Sequence, residues 1–510
     1  MASRDEILKI YQAGPDVLVT WVEQLVDKYE RQIGELAQLV ETQQGRIGEL
    51  AQLVETQQSQ LTTLTSRLAE LEARLNKDSH NSHQPPSSDG PAKRPQPRSL
   101  RKRSGKKSGG QPGHPGVTRC LVDDPDTVVP HTPVVCAGCG TPLASAPEVG
   151  RDRRQVIEIP LPHLEVTEHQ ALHKACPVCQ TVSVGEFPPD VTQPVQYGPR
   201  TKAAAVYLQT YQLLPYERTV ETLGDLFGVY PSEGTLATAQ TIAYTQLEPV
   251  EQAIREALRQ TNVAHVDETG IRVAGDTAWV HVMSTTVLTF YAHQAKRGRA
   301  AFEAIGLLIG FGGRRVHDAW APYLNLPGLY ALCNAHLLRE LIGLHEDTRQ
   351  PWTQKLIRLL LSMKTAVTDA QAAGKTELPP RQRAGYEAAY TRFIHEGLRA
   401  NPPPKPTGKR GRPKQTPAKN LVDRLGTHRQ AVLCFLHDFT VPFDNNQAER
   451  DLRMLKVKQK VSGCFRSPAG ADYFCRIRGY ISTLRKQGYS ILDGLTSIFA
   501  GQPYMPRLEA

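Results

Sequence analysis

A twelve-residue phrase, IGELAQLVETQQ, occurs twice near the start of the chain, at residues 33–44 and again at 47–58. The offset of fourteen residues is two heptads, and it constrains this segment more tightly than composition does. In that frame the a positions are Val19, Val26, Ile33, Val40, Ile47, Val54, Leu61, Leu68 and Leu75. The d positions are Val22, Tyr29, Leu36, Gln43, Leu50, Gln57, Leu64 and Leu71. Eight heptads in register predict a coiled coil. β-branched a residues with leucine at d favour two parallel strands, and Gln43 and Gln57 lower stability while setting register. The competing reading is a helix packed on its own domain. The length of the repeat favours self-association, so a homodimer or higher oligomer is expected.

With 510 residues the chain has room for two to four domains. Aromatic residues make up only 6%, lean for a wholly globular chain, so part of it is expected to be extended. Lys and Arg number 61 against 51 Asp and Glu, a net charge of +10. Between residues 76 and 119 ten Lys/Arg face only Asp78 and Asp89, so this tract carries +8 of that surplus. It reads NSHQPPSSDGPAKRPQPRSLRKRSGKKSGGQPGHPG, too poor in apolar residues to offset its chain entropy, and is expected to be disordered. It serves either as a solubilising linker or as a tether that grips the DNA backbone through counterion release. No run of eighteen apolar residues is present, so no membrane span is expected, and the first nine residues lack the pattern of a signal peptide.

Four of the nine cysteines form two pairs, Cys136-Ala-Gly-Cys139 and Cys176-Pro-Val-Cys179. Each pair is able to present two thiolates to one tetrahedral zinc, which reads as structural metal in a reducing cytoplasm. The 36 residues between the pairs exceed the usual gap, but a strand-like stretch at 156–167 is expected to bring them together. The bland alternative is two unrelated reduced pairs. From 199 to 248 the pattern turns helical. Residues 219–227, a Gly-Val-Tyr-Pro turn and residues 232–246 read as helix, turn, helix, with Ser232 as N-cap. This is either a DNA-reading hairpin or one that only packs.

A meander of strand-like runs follows at 264–267, 271–273, 279–285 and 287–293, then a helix at 299–308 and strand-like runs at 315–318 and 330–333. The order suggests a mixed sheet of the ribonuclease H kind. Asp267 and Asp318 both end strand-like runs, where adjacent strands bring carboxylates together; such a pair repels unless divalent metal neutralises it. Asp276 also lies in the region and is an alternative to Asp318. A third acid, Glu449, lies on a helix predicted to open with Asp444 as N-cap and Gln447 completing a capping box. Ala448, Leu452 and Leu455 are its buried stripe. Between 401 and 420 six Lys/Arg occur without an acid, and Lys409-Arg-Gly-Arg-Pro-Lys414 looks like an AT-hook, in which Arg410 and Arg412 enter an A·T minor groove.

These pieces together resemble the transposases of bacterial insertion sequence family 66. The resemblance rests on PPSSDG, GGQPGHPG, the paired CxxC module, ERTVETLGDLFGVYPSEGTL, HVDETGIRV, HDAWAPY, CNAHLLREL, GKRGRPK and above all VPFDNNQAERDLRMLKVKQKVSGCFRS. It covers nearly the whole length. It implies an Asp-Asp-Glu core in which Asp267, Asp318 and Glu449 are catalytic and hold two Mg²⁺ (or Mn²⁺) ions, with Arg450, Arg453 and Lys456 holding phosphates. A helical insertion accounts for the 130 residues between Asp318 and Glu449.

The expected architecture is multidomain α+β. A coiled coil (1–75) and a basic linker (76–119) precede a zinc module held by Cys136, Cys139, Cys176 and Cys179 (120–195). A helix-turn-helix-like DNA-binding region (196–255) leads into a ribonuclease H-like core in two parts (256–344 and 439–510), split by the insertion (345–438). The expected partners are double-stranded DNA, as terminal inverted repeats and target, a second copy of the chain, and small accessory transposition proteins. The rival reading is a non-catalytic, zinc-containing, coiled-coil DNA-binding protein.

Overall fold

The computed structural model describes residues 4–75, 119–160, 162–404 and 415–507. The basic linker up to residue 118 and the hook at 409–414, with Arg410 and Arg412, lie outside the described residues. Two compact units are present, 1–93 and 94–510.

The first unit is helical. A short α1 (Arg4–Gln12) turns through Gly14, whose φ of 112° suits glycine, into α2 (Pro15–Leu75), 61 residues without a break. The a and d residues of α2 stand in solvent: Ile33 is 65% exposed, Leu36 60% and Leu64 59%. Among the described residues of this unit nothing covers that apolar stripe.

In the second unit the described residues begin at 119 with a largely exposed segment that carries one small hairpin, β1 (His173–Ala175) with β2 (Val182–Val184). The strand expected at 156–167 does not form. Pro160 and Pro162 remove ladder donors from its middle, and Val156, Ile159 and Val166 stay exposed.

Helices α3 (Pro199–Val206), α4 (Tyr216–Phe227), α5 (Glu233–Gln246) and α6 (Glu248–Gln260) follow, with a π-helical turn at Tyr207–Tyr211. The α4–α5 turn obeys local rules. Gly228 ends α4 in the left-handed region, and the Ser232 side chain accepts from Thr235 N–H to start α5. Leu236, Ala239 and Ala243 seat α5 against the body of the unit; its sequence contains no Lys or Arg.

A five-stranded sheet comes next: β3 (Val263–Val273), β4 (Asp276–Ser284), β5 (Thr289–Gln294), then α7 (Arg299–Ile305), β6 (Arg314–His317), α8 (Ala321–Leu324) and β7 (Tyr330–Leu332). Its order is β5-β4-β3-β6-β7, with β3 antiparallel to β4 and parallel to β6. The β3–β4 turn is two residues, Ala274 and Gly275, both at positive φ as a tight hairpin requires. β3 runs unbroken through Gly270, where the sequence suggested a gap, because β4 pairs with it along its whole length.

Helices α9 (Asn334–Thr348), α10 (Pro351–Ala372), α11 (Pro380–Ala400), α12 (Pro417–Thr427), α13 (Arg429–Val432) and α14 (Cys434–His437) build a separate core around Leu341, Trp352, Leu360, Tyr390 and Val422. The chain then returns to the sheet as α15 (Asn446–Ser462), α16 (Pro468–Lys486) and α17 (Ile491–Phe499). One sheet face packs Val266, Met283 and Phe290 against Ile254, Phe302, Ile481 and Leu495. The other packs Ile271, Val280, Val282 and Tyr291 against Ala448, Leu452 and Leu455 of α15 and Phe474 of α16. Among the described residues no helix is long and apolar enough to cross a membrane.

The capping box expected at Asp444 does not form. Asn445 is the cap position and its side chain makes no cap bond. It reaches across to the sheet instead: Nδ2 donates to Val266 O at 2.9 Å and Oδ1 lies 2.8 Å from His265 Nδ1. Its own N–H donates to Cys333 Sγ at 3.1 Å. Replacing Asn445 by Ala leaves these buried groups unpaired and is expected to destabilise the protein by about 1–3 kcal/mol, read from urea unfolding of the full chain.

Candidate active site

Strand register decides which acids meet. In the parallel β3–β6 pair His265 faces Val316, and two residues further this register brings Asp267 level with Asp318, just past the end of β6. Asp267 is therefore not at a strand end; it lies within β3, where the shorter neighbour stops. Asp276 sits at the start of β4, opposite Val273. Glu449 arrives from the first turn of α15, pinned to β3 by Asn445 and by Lys456, whose ammonium donates to Gly270 O at 2.6 Å.

Asp267 feels the charges of the other two acids. Burial pushes the Asp267 carboxyl well above the usual carboxylate range, and the charges of Glu268, Asp318 and Glu449 push it further. Burial also raises Glu449, opposed by the Arg339 guanidinium at 3.7 Å. Asp318 Oδ1 accepts from Trp320 N–H at 3.0 Å, which fixes the turn that presents it. Glu268 belongs to this cluster too, though its neighbour Asp267 drew the attention in the sequence. Burial raises it to about 7 despite a hydrogen bond from Tyr323 at 2.7 Å, and Asp318 adds to the rise.

His336 and Arg339 lie three residues apart on α9 and both approach Glu449, with His336 Nδ1 3.7 Å from its Oε1. Cys333, His336 and Glu449 form the one group of three or more ligand atoms within 4.8 Å of one another among the described residues. It is poorly suited to metal. The Cys333 thiol is pushed up to about 12 by burial and accepts from backbone N–H groups of His336 and Asn445. A better fit is the carboxylate set of Asp267, Asp318 and Glu449. Glu449 Oε1 is buried without a hydrogen-bond partner, a hard oxygen left to be satisfied. These carboxylates need not crowd within 4.8 Å, because two ions of such a site sit about 3.5–4 Å apart and separate their ligands.

Arg450 and Arg453 are exposed on α15; Arg450 also donates to Gln447 Oε1 at 2.9 Å. Lys456 is half-buried against β3.

The cysteine pairs form two near-identical knuckles. In each, the first cysteine's N–H donates to a threonine carbonyl five residues on, Thr141 or Thr181, at 2.9 and 2.8 Å. The second cysteine's sulfur lies 3.2 Å from the same threonine's hydroxyl, which lowers Cys139 and lowers Cys179 to about 7. Lowered thiols suit metal ligation. The two knuckles are not drawn into a single cluster of the kind Cys333, His336 and Glu449 form.

Comparison with known proteins follows this layout. The model of the Transposase IS66 family matches residues 194–473, and that of the zinc-finger binding domain of transposase IS66 matches 133–180. A family of unknown function matches 21–120. No curated protein matches the chain. Among solved structures, the Drosophila P element transposase strand transfer complex aligns at 12% identity, covering 59% of this chain and 94% of that one, with a TM-score of 0.27. The fold and its acidic residues are thus accompanied by a family match over more than half the chain, and the class is that of the DNA transposases. The chain belongs to the IS66 transposase family.

The raised acids make a pH prediction. A carboxyl whose folded pKa lies above its unfolded value loses stability as pH rises from the ordinary carboxylate range to that folded value, here about 7 for Glu268. A divalent cation offsets the repulsion only once the groups are ionised. Mg²⁺ is therefore expected to raise the melting temperature more above pH 7 than below it, and Asp267→Asn to shrink that difference. A cation-induced shift that is independent of pH would contradict the assignment.

Proposed function

We propose that this transposase cleaves and joins DNA at an Asp267–Asp318–Glu449 site on a sheet of the ribonuclease H kind. The observation that carries the reading is that Asp267 is raised by burial and by the charges of Asp318 and Glu449, two acids from distant segments. The sheet order, three antiparallel strands followed by two parallel ones, supports the same reading.

Asp267 and Asp318, level with one another across β3 and β6, bind from one side, and Glu449 closes the site from α15. These three carboxylates would hold Mg²⁺ or Mn²⁺, which would supply neutralisation of developing negative charge in an in-line phosphoryl transfer. Arg339 holds Glu449 in place, and Asn445 fixes the angle at which its helix meets the strand. In the first step a water oxygen bonds to phosphorus at a transposon end and the P–O3′ bond breaks, freeing a 3′ hydroxyl. In the second, that hydroxyl attacks a target phosphodiester and displaces the target's own 3′ oxygen. No covalent protein–DNA intermediate arises, so no nucleophilic side chain is assigned. Arg450 and Arg453 offer exposed charge to the DNA backbone, and Lys456 steadies the strand beside them.

The remaining parts serve binding and assembly. Cys136, Cys139, Cys176 and Cys179 hold structural zinc once the two knuckles close on each other. The α4–α5 hairpin and the hook at 409–414 contact duplex DNA, and α2 pairs with a second copy of the chain through its exposed stripe. Small accessory proteins are a further partner class.

Two measurements test this. Asp267→Asn and Glu449→Gln are expected to lower metal-dependent cleavage of a cognate terminal repeat by at least ~10³-fold while leaving duplex binding in place. Intact cleavage in both variants would leave only the DNA-binding reading. Deleting residues 19–75 is expected to convert the sedimenting species to a monomer; an unchanged oligomer would place self-association elsewhere.

A further inference from the structure

Two of the chain's four tryptophans clasp one arginine beside the acidic cluster. The Arg297 guanidinium carbon lies 4.4 Å from the Trp279 ring centre and 4.8 Å from that of Trp320. Both rings are fixed. Trp279, on β4, lies over Gly270 of β3, where an added Cβ would come within 3.6 Å of the indole. The Trp320 backbone N–H donates to the Asp318 carboxylate, and its ring packs edge-on against Tyr323 at 5.4 Å. Tyr323 in turn donates to Glu268. The Arg297 loop is set by Gly298, whose φ of 86° turns the chain against Trp320 and Pro322. Arg297 itself remains exposed, as do Lys296 and Arg299.

A guanidinium in cation–π contact with two indoles makes its hydrogen bonds through its in-plane N–H edges. Those edges match two oxygens of a phosphate. The position matters as much as the shape. A DNA strand that delivers a phosphodiester to buried carboxylates meets repulsion there, and a fixed cation alongside compensates it for the next phosphate. Arg297 is close enough for its charge to oppose the rise at Glu268.

We propose that Arg297, clasped by Trp279 and Trp320, grips the DNA backbone phosphate adjoining the one that reacts. This rests on the transposase reading above and extends it to a substrate contact outside the acidic set.

The test uses the full chain and a labelled duplex carrying one terminal repeat of the element, with Ca²⁺ replacing Mg²⁺ so that binding is read without cleavage. Arg297→Ala and Arg297→Gln are each expected to lower the slope of log affinity against log salt by about 1, equally on cognate and unrelated duplexes. Arg297→Lys keeps the charge and is expected to restore the slope, yet to cleave more slowly than the parent because its ammonium lacks the planar fork. A merely structural clasp would not move the slope, so a parental slope in both Arg297→Ala and Arg297→Gln overturns the proposal while leaving the transposase reading intact. A parent chain that neither binds this duplex nor cleaves it with Mn²⁺ overturns both.

Discussion

The Asn445 carboxamide joins the end of a long excursion to the middle of the sheet. It satisfies Val266 O and His265 on β3, and its backbone is held by Cys333 at the end of β7. Asn334 N–H donates to Phe443 O and so ties the segment just before α15 to the start of α9. Through these bonds a helix that lies 180 residues beyond β3 in sequence arrives at one angle and one depth. Without them Glu449 would have only the apolar stripe of α15 to place it, and such packing tolerates sliding that hydrogen bonds to fixed partners do not.

Burial and charge act together on these acids. Asp267, Glu268 and Glu449 are raised first by desolvation and only then by neighbours. Arg339 and Arg297 moderate different acids: one pairs with Glu449 from α9, the other, in contact with two indoles, opposes the rise at Glu268. The site is thus acidic at its centre with cations placed around it, an arrangement suited to a polyanionic strand that must come close and leave again.

Local signals were legible in the sequence and long-range ones were not. The α4–α5 turn could be read because Gly228 and Ser232 act within a few residues of themselves. The repeated phrase marked α2 as a helix for the same reason. The strand at 156–167 failed because alternation of apolar residues outweighed two prolines in the reading, and the prolines decide the backbone. The capping box failed because Asn445 has a more demanding partner on another element. Asp267, Asp318 and Glu449 could be named as candidates, but their meeting depends on β3–β6 register, which no sequence spacing reveals. Glu268 was missed because its partner, Tyr323, lies 55 residues away. The Arg297 clasp joins three separate segments and left no mark in any one of them.

The order of the elements has a consequence for synthesis. One whole face of the sheet, with Ile271, Val280, Val282 and Tyr291, is covered by α15 and α16, which leave the ribosome after the entire helical insertion. A nascent or prematurely terminated chain that stops before Glu449 therefore carries both aspartates and no third acid, beside an uncovered apolar sheet. In such a fragment that face of the sheet stands open to water, so its burial waits on helices made after the whole insertion.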